Sequence, residues 1–137
     1  MIELHGNDCE IVLYGVSMGS AAVSMASGEE SLQKQVKAVI SACAFTDMWN
    51  QVSRVVKMLY KIPAAPFMWG ADAFMKTLAG YGMKDTFALN QVKNSSVTTL
   101  FIHGSLDDYV FPDMAKTLFD CFSSEKKAFI THRIRYT

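Results

Sequence analysis

Gly15-Val16-Ser17-Met18-Gly19 has the residue types and spacing for covalent catalysis. A G-x-S-x-G segment presents its serine as a nucleophile when a strand runs into it and a helix runs out, because the serine then sits at the apex of a sharp turn. Both flanks are present. Ile11-Val12-Leu13-Tyr14 is a β-branched and aromatic run bounded by glycine, and reads as a short buried strand. Ser20 to Ser27 reads as the first turns of a helix that packs close to a sheet, since alanine and serine let backbones approach. Such a turn strains its central residue, and Gly15 and Gly19 are expected to remove clashes between its two arms. Ser17 would stand at the strand's carboxyl end above a helix N-terminus, with the backbone N–H of Met18 facing the place where an oxyanion forms. That is the chemistry of acyl transfer. An ordinary Gly/Ser-rich turn into a core helix shares the pentapeptide; the strand before it and the helix after it favour the elbow.

A carboxylate is the second requirement, to orient the base that activates the serine. Val97 to His103 reads as a strand, followed by Gly104-Ser105-Leu106-Asp107-Asp108-Tyr109-Val110 and a helix from Pro112 to about Phe122. Asp107, just past a parallel strand's carboxyl end, is the acid expected from this placement. Asp108 is its local competitor and Asp47, after the second strand, a weaker one. The competing reading is a turn whose two acids cap the next helix. His103 belongs to the strand-end turn and is not read as the base. His5-Gly6 lies too few residues before Ser17 for an intervening strand and crossover helix, so a polar turn leading into the strand is the better reading there.

These residues need a sheet to hold them. Val36 to Ser41 is a second buried strand; two strands joined through a helix form a βαβ unit and a parallel sheet. Thr46 or Asp47 can cap the next helix, which Pro63 and Pro66 are expected to break, with a further helix over about 69–78. The region Asp47 to Lys84, rich in Met, Trp, Phe and Tyr, reads as an inserted helical cap. Its aromatics are mostly packing, with an apolar substrate pocket as the sharper alternative. Lys127 to Thr131 is a short final strand.

Composition bounds the rest. With 137 residues, 50% of them hydrophobic, the chain is one domain with a real core. Thirteen basic and thirteen acidic residues cancel, so neither nucleic acid nor an anionic membrane surface is an expected partner. Cys9, Cys43 and Cys121 are odd in number and widely spaced, which fits reduced thiols in a cytoplasmic protein better than disulfides or a zinc site. The uncharged run Ile11 to Gly28 carries glycines and serines and lacks basic flanks, so no membrane span is expected. Met1 to His5 lacks the pattern of a secretory signal. No cofactor and no metal is called for.

The GVSMG elbow, the AVISACAFTD strand and the FIHGSLDDYV segment, in this order and spacing, resemble bacterial α/β-hydrolases of the serine aminopeptidase/esterase-like group. The link TLAGYGMKDTFALNQV is similar to theirs between cap and late sheet. The resemblance runs to about Thr131. It implies a partial α/β-hydrolase fold over residues 1–137: a parallel sheet with helices on both faces and a small inserted helical cap at about 47–84. It also implies a Ser-Asp-His triad with Ser17 as nucleophile, Met18 as oxyanion donor through its backbone, and Asp107 as acid, acting on a small ester or peptide substrate. The chain departs from the family twice. Further strands before the elbow, with the second oxyanion donor, have no counterpart here. The family's histidine would fall near Arg135, and His132 comes about three residues early as its substitute. The expectation is therefore a fragment of weak activity, or a non-catalytic hydrolase-like interaction module, with an apolar sheet edge at the Ile11 strand prone to self-association.

Overall fold

A computed structural model describes residues 8–85 and 88–133. The His5-Gly6 turn and the position of Arg135 lie outside them. Four strands, β1 (Ile11–Val16), β2 (Val36–Ala42), β3 (Thr98–Gly104) and β4 (Lys127–His132), form one sheet in the order β1-β2-β3-β4. All three pairings are parallel. The helices are α1 (Met18–Ala26), α2 (Met48–Tyr60), α3 (Ala64–Ala79), the short α4 (Ala88–Val92) and α5 (Pro112–Cys121). No helix among the described residues is long and apolar enough to cross a membrane.

The register explains which residues are buried. Gly15, Ser41, Phe101 and Phe129 lie in one row across all four strands, on one face. Phe101 is fully buried there with Ala44, Val92, Leu118 and Phe122, and its ring meets Phe119 and Phe122 edge-on at centroid distances of 5.8 and 5.5 Å. Small side chains bring α1 close to the sheet over the same row, as its composition predicts. The buried hydroxyl of Ser41 lies 2.6 Å from that of Ser20 and 3.0 Å from that of Ser24. A Cβ on Gly28, just past α1, would overlap the Gln91 carbonyl in α4.

The fold class is as expected, but among the described residues helices cover one face of the sheet rather than both. Those that pack on the sheet, α1, α4 and α5, share the Ser41–Phe101 side. The cause is topological: every crossover steps in the same direction along the sheet, and right-handed crossovers that keep one direction put their helices on one face. On the other face Val12, Tyr14, Val16 and Ile130 are exposed, and β1 pairs on one side only among the described residues.

The helices between β2 and β3 differ from expectation in extent. Asp47 caps α2, its Oδ1 accepting from the Asn50 N–H at 2.7 Å. Pro66 does not break a helix; it lies in the first turn of α3, where the backbone N–H has no intrahelical partner to lose. So α3 begins at Ala64, not Trp69, after a three-residue turn in which Lys61 takes the left-handed conformation (φ 54°). The pair packs around Val56, Ala64, Met68 and Met83, and Met48 joins this cluster to the one containing Ala21, Phe45, Val110 and Met114. The buried Asp72 accepts from Met83 N–H at 2.7 Å and pairs with Lys76 at 3.1 Å, fixing the turn after α3.

Candidate active site

Because all four strands are parallel, their carboxyl ends lie along one edge, and Ser17, Asp47, Asp107, Asp108 and His132 are at or just beyond it. Ser17 stands between β1 and α1 with φ 53° and ψ −115°, a conformation that L-residues avoid. Its N–H donates to the Ala42 carbonyl at 2.9 Å, stitching the elbow to the end of β2. Its side chain makes no capping bond to α1 and stays half-buried. Met18 is the first residue of α1, so its N–H is among those a helix leaves without an intrahelical partner. Its side chain points out to solvent.

The two elbow glycines are not equivalent. A Cβ on Gly15 would overlap the Gly19 carbonyl oxygen and lie 2.7 Å from the Ser20 nitrogen, contacts no side chain tolerates. A Cβ on Gly19 meets nothing within 4 Å. The expectation that both relieve clashes is therefore corrected for Gly19.

Asp107 is 5% exposed in the loop after β3. Its Oδ1 accepts two backbone bonds, from Tyr109 N–H at 3.0 Å and Val110 N–H at 2.9 Å. Its Oδ2 lies 3.7 Å from His103 Nε2, outside hydrogen-bond range. That ring nitrogen instead donates to the Val110 carbonyl at 2.8 Å, and the buried Nδ1 has no hydrogen-bond partner among the described residues. Asp108 is exposed. Asp47 is buried with both oxygens occupied by Thr46 and Asn50, a helix cap rather than an orienting acid.

His132 closes β4 opposite Gly104 and is exposed. Its carbonyl accepts from Ser105 N–H at 2.8 Å. Among the described residues no hydrogen bond or ion pair joins its ring to Asp107. By strand spacing, Ser17 lies two strands from the Asp107 loop, about 10 Å, and three from His132, about 14 Å.

Two supporting residues carried no sequence signal. Gln51 on α2 donates from Nε2 to the Tyr109 carbonyl at 2.9 Å, and Arg54 forks onto Asp113 at 3.1 Å through both terminal nitrogens. Together they seat α2 against the Asp107 loop and α5. Cys43 follows β2 with φ 52°, and its N–H donates to the Ile102 carbonyl at 2.9 Å. A left-handed cysteine announces itself by no motif. No disulfide links Cys9, Cys43 and Cys121.

Residues 12–135 match the family described as Serine hydrolase (FSH1). The chain belongs to that serine hydrolase family. Relatives of this FSH1-family chain include the uncharacterized protein YqkD of Bacillus subtilis (strain 168), 25% identical over 131 residues that make up 93% of this chain and 43% of YqkD. Among solved structures, the esterase domain of a Rhodothermus marinus protein aligns with TM-score 0.61 and 23% identity, over 90% of this chain and 50% of that one. The acylaminoacyl peptidase of Pyrococcus horikoshii aligns with TM-score 0.68 and 14% identity, over 98% of this chain and 21% of its own. An esterase of Pyrococcus furiosus aligns with TM-score 0.65 and 14% identity, over 93% and 45%. At these identities the structures show the shared fold. This FSH1-family chain spans half or less of the length of these relatives.

Proposed function

We propose that this chain carries the nucleophile and the acid of a serine hydrolase that cleaves ester or amide bonds through a Ser-Asp-His triad. The observation that carries the reading is the backbone of Ser17: a non-glycine residue held at φ 53° between a parallel strand and a helix, with the Met18 N–H beside it. In this reading a histidine takes the Ser17 proton as the Ser17 oxygen attacks a small ester or peptide carbonyl, Met18 N–H holds the oxyanion, the histidine returns the proton to the leaving alcohol or amine as the ester or amide bond breaks, and water then hydrolyses the acyl-serine and restores the hydroxyl. Asp107 orients the histidine through Oδ2, since Oδ1 is committed to its own loop. His132 is the base this sequence offers; its place at the end of β4 makes turnover by these residues alone slow. Loss of a general base costs on the order of 10⁶ in turnover. Three unbridged cysteines fit a reducing, cytoplasmic setting.

A second reading is favoured by the edge of β1, which pairs with no strand among the described residues, and by the exposed Val12, Tyr14 and Val16: a non-catalytic hydrolase-like module that self-associates or pairs its edge with a partner.

Labelling with a fluorophosphonate separates the two. The hydrolase reading expects slow labelling, p-nitrophenyl acetate hydrolysis little above background, and loss of both in Ser17→Ala. An inert Ser17 in a stably folded chain supports the interaction module. Labelling that survives Ser17→Ala overturns Ser17 as the nucleophile.

A further inference from the structure

The turn joining α2 to α3 exposes apolar side chains that nothing in the hydrolase reading uses. Leu59 is 61% exposed, Tyr60 67%, Ile62 49% and Phe67 56%. They lie in the last turn of α2, the three-residue connection and the first turn of α3, away from the sheet. Val56, Tyr60, Ile62 and Phe67 line an apolar cleft of about 170 Å³ at this turn. Along the chain the stretch between Asp47 and Asp72 carries basic residues alone. Residues 48–71 contain Arg54, Lys57 and Lys61 and no aspartate or glutamate. Arg54 is committed to Asp113, whereas Lys57 and Lys61 form no ion pair among the described residues and are exposed beside the apolar side chains.

An aromatic and aliphatic tip flanked by unpaired lysines has the chemistry of an interfacial anchor: apolar side chains enter the headgroup–acyl boundary and ammonium groups stay among anionic headgroups. We propose that the α2–α3 tip docks on an anionic phospholipid bilayer, with Leu59, Tyr60, Ile62 and Phe67 inserted and Lys57 and Lys61 at the headgroups. The net charge of the chain is zero, so the attraction comes from this local asymmetry. The surface is independent of Ser17 chemistry and stands or falls separately from it.

The test is flotation of the full chain with vesicles of phosphatidylcholine alone and with 30% phosphatidylglycerol, at low and high salt. Two double variants go alongside: Leu59→Ser with Phe67→Ser, and Lys57→Gln with Lys61→Asn, asparagine being tolerant of the left-handed position. The wild type is expected to float with the anionic vesicles, less with the neutral ones, and less again in high salt. Each lysine contributes about five-fold near an anionic surface, so removing both should weaken binding about 25-fold. The serine variant should lose binding at every salt concentration, with far-UV circular dichroism unchanged in both. Flotation equal to wild type in both folded variants overturns the proposal, as does no flotation of the wild type. A wild-type oligomer in sedimentation that the serine variant dissociates, without vesicle binding, makes the tip a protein interface and also overturns it.

Discussion

His103 and Asp107 hold the same loop from opposite ends without bonding each other. The imidazole takes the Val110 carbonyl at 2.8 Å while the carboxylate takes the Val110 N–H at 2.9 Å, and 3.7 Å separates Nε2 from Oδ2. Oδ2 of Asp107 thereby takes neither of the two backbone bonds that fix its loop.

This division predicts different outcomes at the two residues. His103→Leu leaves the Val110 carbonyl without its buried donor and should cost about 2 kcal/mol in urea unfolding. Asp107→Asn keeps an oxygen for the two loop N–H groups and should cost less than about 1 kcal/mol, while removing any orientation of a base.

The elbow glycines should separate just as clearly. Gly15→Ala drives a methyl into the Gly19 backbone and should destabilise by about 3 kcal/mol. Gly19→Ala places its methyl in open space on α1 and should stabilise by about 0.5–1 kcal/mol. Thermal melts of the two single variants check this; equal losses would contradict the asymmetry.

Ser17 should trade stability for exposure of its hydroxyl. Ser17→Gly relieves the positive φ and should raise stability by about 1 kcal/mol, whereas Ser17→Ala retains the strain and should not. Chemical denaturation of both variants reads the difference.

Much of this was legible in the sequence, and the rest was hidden for identifiable reasons. Apolar runs bounded by glycine or polar residues marked all four strands to within two residues, and Asp47 was readable as a cap. Pro66 misled because proline disrupts a helix interior but not its first turn, and nothing local shows where the first turn falls. The left-handed Cys43 and the bond from Gln51 to Tyr109 depend on elements distant in sequence. The family resemblance implies helices on both faces; among the described residues the strand order, unreadable from the chain, puts those that pack on the sheet on one.

Acid should loosen the turn after α3 before the sheet. The hydrogen bond and charge of Lys76, with the Met83 N–H, hold the Asp72 carboxyl below its ordinary value of 3.8. A depressed folded-state value means stability that is present above the unfolded-state value and is lost as pH falls through the folded one. The melting temperature should therefore fall below about pH 4. Asp72→Asn should melt lower than wild type at pH 7 and converge with it at pH 3. Asp113, held down by Arg54, shifts in the same direction, but its exposed pair contributes less than about 1 kcal/mol.

The one-way strand order has a geometric consequence for Ser17. Among the described residues the sheet winds only from β1 toward β4, so a parallel strand added beside β1 by a right-handed crossover running away from β4 would wind the opposite way and put its helix on the bare face. Reversal of winding opens a crevice above the carboxyl ends of the strands that flank it. The apex of the elbow would then sit at the mouth of that crevice, a place made by the meeting of two windings rather than by any residue lining it.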